Sequence, residues 1–271
     1  MNTRFKNFFH FNLGTISRGR GEFVSREIAY ITGKKIIDHY YGLIHDYSNR
    51  TDVLYSEVLL SMNAPSAFSN IEILANAIEE SEHRKDSRTA KTIIIALFNN
   101  FGCSSTQSFS IDEYARLVRE YTLENFINQG MCAVVVIHKG ENKDNPEKSN
   151  PHVHIVLTDR PVDESGFCHK KNRNWIKNHV RTWRELWADA QNREFERKGL
   201  GFRVSAKSHI MLGIKKEPTK HRGKAVIALE QRGIETDCNI EHKQVIILNN
   251  SKEKNERIIA EKKRHDRERS R

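Results

Sequence analysis

Residues 131–157 read MCAVVVIHKGENKDNPEKSNPHVHIVL. Met131 to His138 is an apolar, β-branched run, and Pro151 to Leu157 is a second one. The polar stretch KGENKDNPEKSN between them belongs on a surface, so the two runs are expected to be strands that pair antiparallel across it. In a strand, alternate side chains share a face. His152 and His154 therefore point one way, and Val153, Ile155 and Leu157 the other. His138 ends the preceding strand, and pairing of the two strands brings its ring to the same place. Three neutral imidazoles with coordination positions to spare describe a catalytic metal centre, because a structural one closes its shell with four protein ligands. The chemistry of histidine-triad hydrolases requires a third alternating histidine, and position 156 is Val.

Working outward, Phe8 to Ser17 reads as a strand that ends in the basic turn Ser17-Arg18-Gly19-Arg20-Gly21. A helix follows, with Val24, Ile28 and Ile31 on one stripe. Val53 to Leu60 and Thr92 to Leu97 read as further strands. Asn70 to His83, Ile111 to Asn128 and Ile176 to Lys198 read as helices, the last carrying Val180, Trp183, Trp187 and Ala190 on one face and stopped by Gly199. One domain is expected over residues 1–250. Residues 251–271 hold nine Lys or Arg against five Asp or Glu and cannot bury a core. They are expected to be a basic charged tail, helical or disordered.

The composition, 37% hydrophobic and 30% charged, is that of a globular protein with a well-charged surface. No apolar run approaches the roughly 20 residues of a membrane span. The opening apolar stretch is interrupted by His10 and Asn12 and lacks a small-residue cleavage site, so it is read as a strand and not as a signal peptide. Cys103, Cys132, Cys168 and Cys238 form neither a Cys-x-x-Cys pair nor a disulfide framework, which fits a reducing cytoplasm. A net charge of +10 and a pI near 9.4 point to an anionic partner, since clustered cations gain free energy by displacing counterions from a polyphosphate.

A metal on three histidines serves hydrolysis through bound water as well as transesterification through a protein hydroxyl. Tyr30 is a candidate for the hydroxyl. It follows the basic turn on the expected helix, with Arg26 four residues before it and Lys34 four after it, and cations there would bind a phosphate. By periodicity alone, Tyr40, Tyr41 and Tyr47 are its equals.

Taken together, these segments resemble the MobA/MobL-type relaxases of plasmid mobilisation, a branch of the HUH endonucleases, over most of residues 8–237. The likeness starts at Ser17-Arg18-Gly19 and at Ala29-Tyr30-Ile31-Thr32-Gly33-Lys34. It continues through Ile44-His45-Asp46-Tyr47 and His83-Arg84-Lys85-Asp86, then through Ile137-His138 with Asn150-Pro151-His152-Val153-His154. Trp183 to Asn192, Glu217-Pro218-Thr219 with His221, and Glu230 to Ile234 complete it. The resemblance places Tyr30 on the nucleophile and His138, His152 and His154 on a divalent metal, Mg²⁺ or Mn²⁺. It implies an α+β fold, a central antiparallel sheet flanked by helices, and nicking and rejoining of single-stranded DNA at an origin of transfer through a 5′-phosphotyrosine, with auxiliary mobilisation proteins and a coupling protein as further partners. Arg18, Arg20, Arg26 and Lys34 are the expected DNA contacts. A rolling-circle initiator or transposase with the same chemistry and a catalytically weakened DNA-binding autoregulator are the alternatives. Where the family commonly has acidic residues behind the metal histidines, this chain has Thr92 and Ile94.

Overall fold

A computed structural model describes residues 4–5, 9–172, 174–219 and 222–269. Phe8 and His221 lie outside them, and so does the side chain of Ile176. The elements run β1 (Arg4–Phe5), β2 (Phe11–Ser17), α1 (Val24–Thr32), β3 (Lys35–Asp38), β4 (Leu43–Asp46), β5 (Val53–Leu59), α2 (Ile71–Glu80), β6 (Arg88–Ala96), α3 (Ile111–Asn125) and β7 (Ala133–His138). They continue with β8 (His152–Thr158), β9 (Val162–Asp163), β10 (Gly166–Phe167), α4 (Asn174–Arg197), β11 (Phe202–Arg203), α5 (Lys224–Gln231) and α6 (Asp237–Arg269). The chain clusters into two units, Met1–Ala206 and Lys207–Arg271.

In the first unit, five strands form one sheet in the order β2-β6-β8-β7-β5, and every neighbouring pair in it is antiparallel. Strand alternation sorts the side chains into two cores. On one face Phe11, Ile93, Ile95, Val135, Ile137, Val153, Ile155 and Leu157 pack against Leu117, Val118 and Tyr121 of α3 and Trp183 and Trp187 of α4. On the other face Ile16, Ala90, Val134, Val136 and Val156 pack against Val24, Ile28 and Ile31 of α1 and Leu74 and Ile78 of α2. Both faces are covered, which is why β7 and β8 read as nearly continuous apolar runs. The unit is thus a three-layered α+β fold, with the central antiparallel sheet that the resemblance implied.

Local signals set the element ends. Asn70 caps α2 by accepting from the Glu72 and Ile73 amides, and Ser110 with Glu113 forms a capping box on α3. Strand β6 begins at Arg88, four residues before the expected start. The added stretch includes Lys91, which is buried in an ion pair with Asp159.

In the second unit, the boundary expected at residue 250 falls inside α6, which runs unbroken from Asp237 to Arg269. The rise in charge at residue 251 does not stop the helix. Lys, Arg and Glu are good helix formers, and no Gly or Pro follows Gly233.

Candidate metal centre

The pairing of β7 with β8 sets His138 directly opposite His152 and Val136 opposite His154. All three imidazoles share the α1 side of the sheet. Their ring centroids lie 5.3, 4.7 and 5.0 Å apart, and one nitrogen of each falls within 4.8 Å of the others. Backbone carbonyls orient two of the rings. His138 Nε2 donates to the Ile31 carbonyl at 2.6 Å, and His152 Nδ1 donates to the Asn150 carbonyl at 2.7 Å. In each, the other nitrogen keeps its lone pair. Burial, helped by the neighbouring His138, His152 and Arg50, pushes the His154 pKa down to about 3, and burial also lowers that of His138. Three imidazoles that offer ligand nitrogens this close together fit a divalent cation.

The loop that follows His138 supports the cluster. The Asn150 amide donates to the Gly140 carbonyl at 2.8 Å, and Asn99 Nδ2 donates to the carbonyls of Pro146, Glu147 and Ser149 at 3.0, 3.0 and 2.9 Å. Gly140 has a φ of +54°, and a Cβ there would stand 1.9 Å from the Asn150 oxygen. Only glycine allows this approach, and it fixes the carbonyl that holds His152.

Tyr30 sits near the end of α1, next in sequence to the carbonyl that His138 grips, and is 42% exposed. Tyr47 meets its ring edge-on at 5.3 Å, whereas Tyr40 packs beneath the Arg18 guanidinium at 4.0 Å. Sequence reading missed two further neighbours. Arg50 lies over the Tyr30 ring at 4.3 Å and donates to its carbonyl at 2.9 Å. Asp52 holds Arg50 through two hydrogen bonds of 2.8 and 2.6 Å, and that pairing lowers its carboxyl to about 2. The Asp46-x-Ser48 turn, in which Asp46 accepts from the Ser48 amide at 3.0 Å, delivers Arg50 here. With the Arg50-x-Asp52 spacing, it was the signal available.

Of the expected DNA contacts, Arg18 is withdrawn from the surface. It is paired with Glu79 at 3.0 Å, with side-chain exposures of 2% and 0%, and it also donates to the carbonyls of Glu79 and Glu82. Arg20 is exposed but ion-paired with Glu22 at 2.7 Å. Arg26 is exposed. Lys34 is exposed too, but it does not share a helical face with Tyr30, because α1 stops at Thr32 and Gly33 turns the chain with a φ of +63°. Thr92 and Ile94 lie on the histidine side of β6, with Ile94 across from His154.

The model of the family described as MobA/MobL matches residues 24–232. The chain is similar to the probable mobilization protein MobA of Bifidobacterium longum, 26% identical over 83% of this chain and 45% of that one. It is also similar to the mobilization protein MobL of Acidithiobacillus ferridurans, 27% identical over 83% and 64%, and to the conjugal transfer protein TraA of Agrobacterium fabrum, 27% identical over 83% and 22%. It thus spans less than two thirds of the length of these relatives. A solved structure described as the molecular basis of vancomycin resistance transfer in Staphylococcus aureus superposes with a TM-score of 0.64. That structure is 30% identical, covering 74% of this chain and 100% of that one.

Proposed function

Because the chain belongs to the MobA/MobL family, we propose that it is a relaxase that nicks and rejoins one DNA strand at an origin of transfer. The observation that carries this reading is the hydrogen bond from His138 to the Ile31 carbonyl, which ties a three-imidazole cluster to the helix turn bearing an exposed tyrosine. In the proposed reaction Tyr30 Oη attacks the scissile phosphorus in line. The bond to the 3′ oxygen breaks as the bond to the phenol oxygen forms. The phenol proton is lost and the leaving oxygen takes one up, giving a free 3′-hydroxyl and a 5′-phosphotyrosine that reverses the reaction when the strand is resealed. When bound to His138, His152 and His154, a divalent ion, Mn²⁺ or Mg²⁺, polarises the scissile phosphate. Imidazole donors favour Mn²⁺ of the two.

The net charge of +10 supports binding of single-stranded DNA, with Arg26 and Lys34 as exposed cations near the tyrosine and Arg20 as a weaker one. The names of the relatives support mobilisation or conjugal transfer as the setting; auxiliary mobilisation proteins and a coupling protein are the proposed partners, and the cytoplasm the proposed compartment. The test is incubation with oligonucleotides tiled across the protein's own plasmid or element, with and without Mn²⁺. A covalent adduct that requires Mn²⁺ and disappears in Tyr30→Phe is expected. An adduct that persists in that variant would remove Tyr30 from the reaction, and DNA binding without any adduct would favour the autoregulator.

A further inference from the structure

Four groups converge on the guanidinium of Arg50. They are the Tyr30 ring at 4.3 Å, the Tyr30 carbonyl at 2.9 Å, the two oxygens of Asp52 at 2.8 and 2.6 Å, and Nδ1 of His138 at 3.4 Å. The side chain is only 19% exposed. Gly33 allows the approach, since even the smallest side chain there would lie 3.3 Å from Cβ of Arg50. His138 gives its Nε2 proton to Ile31, so the nitrogen facing Arg50 is the one with the lone pair, the donor a cation on the cluster would use. A fixed positive charge therefore stands against the same lone pair that attracts a metal.

We propose that Arg50 is a positioning residue shared by both halves of the site: it clamps Tyr30 by ring and carbonyl, and its charge against His138 lowers the affinity of the cluster for metal. The inference rests on the roles given above to Tyr30 and the three histidines. A planar, delocalised cation is needed to stack on the phenol ring and still bind Asp52 through two nitrogens, which a lysine does not reproduce. The charge itself, by contrast, survives replacement by lysine.

The experiment compares the full chain with Arg50→Gln and Arg50→Lys, reading Mn²⁺ affinity without DNA by the electron paramagnetic resonance of free Mn²⁺, and adduct formation at saturating oligonucleotide and Mn²⁺. Removal of the charge in Arg50→Gln is expected to tighten Mn²⁺ binding about fivefold, while loss of the clamp slows adduct formation by about tenfold or more. Arg50→Lys is expected to bind Mn²⁺ as the parent does and still form adduct more slowly. A residue that merely held the fold would weaken both readouts together. Unchanged or weaker Mn²⁺ binding in Arg50→Gln, or an undiminished adduct rate in Arg50→Lys, would overturn the proposal. If thermal unfolding shows that Arg50→Gln does not fold, Arg50→Met takes its place in the Mn²⁺ arm, and the lysine variant decides the clamp. Failure of the functional reading looks different: the parent forms no adduct, or Tyr30→Phe still does, and the Mn²⁺ arm then still judges the charge of Arg50.

Discussion

Ile94 of β6 stands directly across the ladder from His154 of β8. Side chains in such a pair have Cβ atoms about 4.5–5.5 Å apart, so the residue at position 94 is a neighbour of the His154 ring. Ile94→Glu would supply a carboxylate there. We expect Mn²⁺ affinity to rise about tenfold, and the metal-free protein to lose about 1–3 kcal/mol from the half-buried charge. Calorimetric Mn²⁺ titration with parallel urea unfolding measures both, and an unchanged affinity would mean that this register position does not communicate with the ligands.

Gly140→Ala changes no ligand, yet it forces the Asn150 carbonyl away from its place and with it the acceptor that orients His152. The expected result is a loss of Mn²⁺ affinity of about 10- to 100-fold, together with destabilisation of about 1–3 kcal/mol from the strained φ and the clash. Wild-type affinity in this variant would show that His152 needs no help from the loop.

Arg18→Met separates structure from DNA binding. Removing one partner of a buried ion pair leaves Glu79 uncompensated, and burial already raises the pKa of Glu79. A cost of about 3–5 kcal/mol is expected in chemical denaturation. The slope of log DNA affinity against log salt should stay unchanged, because Arg18 is 7% exposed and neutralises no phosphate. A shallower slope with intact stability would return Arg18 to the DNA surface.

Acid should weaken the anchor of Arg50 in a defined window. The Asp52 carboxyl is held at about 2, chiefly by the hydrogen bonds from Arg50, below the ordinary aspartate value of about 3.9. A depressed carboxylate adds stability that is fully present above the unfolded value and is lost as pH falls through the folded one. The stability gap between the parent and Asp52→Asn should therefore be constant from pH 8 to about 5 and close between about pH 4 and 2. Urea unfolding across that range reads the gap. A gap that varies near neutrality would assign it to another group.

Much of this was legible because it rests on short-range pattern. The β-branched runs ending at His138 and beginning before His152 fix two strands, and the period of two puts His152 and His154 on one face whatever the rest of the chain does. The partner of Arg18 was not legible, because a basic residue in a glycine turn looks the same whether it meets a phosphate or, as here, a glutamate 61 residues away. Lys34 was misplaced because the four-residue spacing assumed a helix that Gly33 ends. Arg50 and Asp52 lie in a connection with no apolar periodicity; the Asp46-x-Ser48 turn marks a bend there, but only the antiparallel pairing of β5 with β7, which sets Val53 opposite His138, carries them beside Tyr30. The length of α6 was hidden for the opposite reason: composition marked a change of surface, and a helix can continue through one.

The contact between His138 and Ile31 joins residues 107 apart in the chain. On a ribosome adding about 5–20 residues per second, the turn bearing Tyr30 emerges roughly 5–20 s before the strand that grips it. An unfinished chain carries the tyrosine but none of the three histidines. In the proposed reaction, a chain still on the ribosome would thus have no metal cluster beside Tyr30 until β8 had been made and had found its place between β6 and β7.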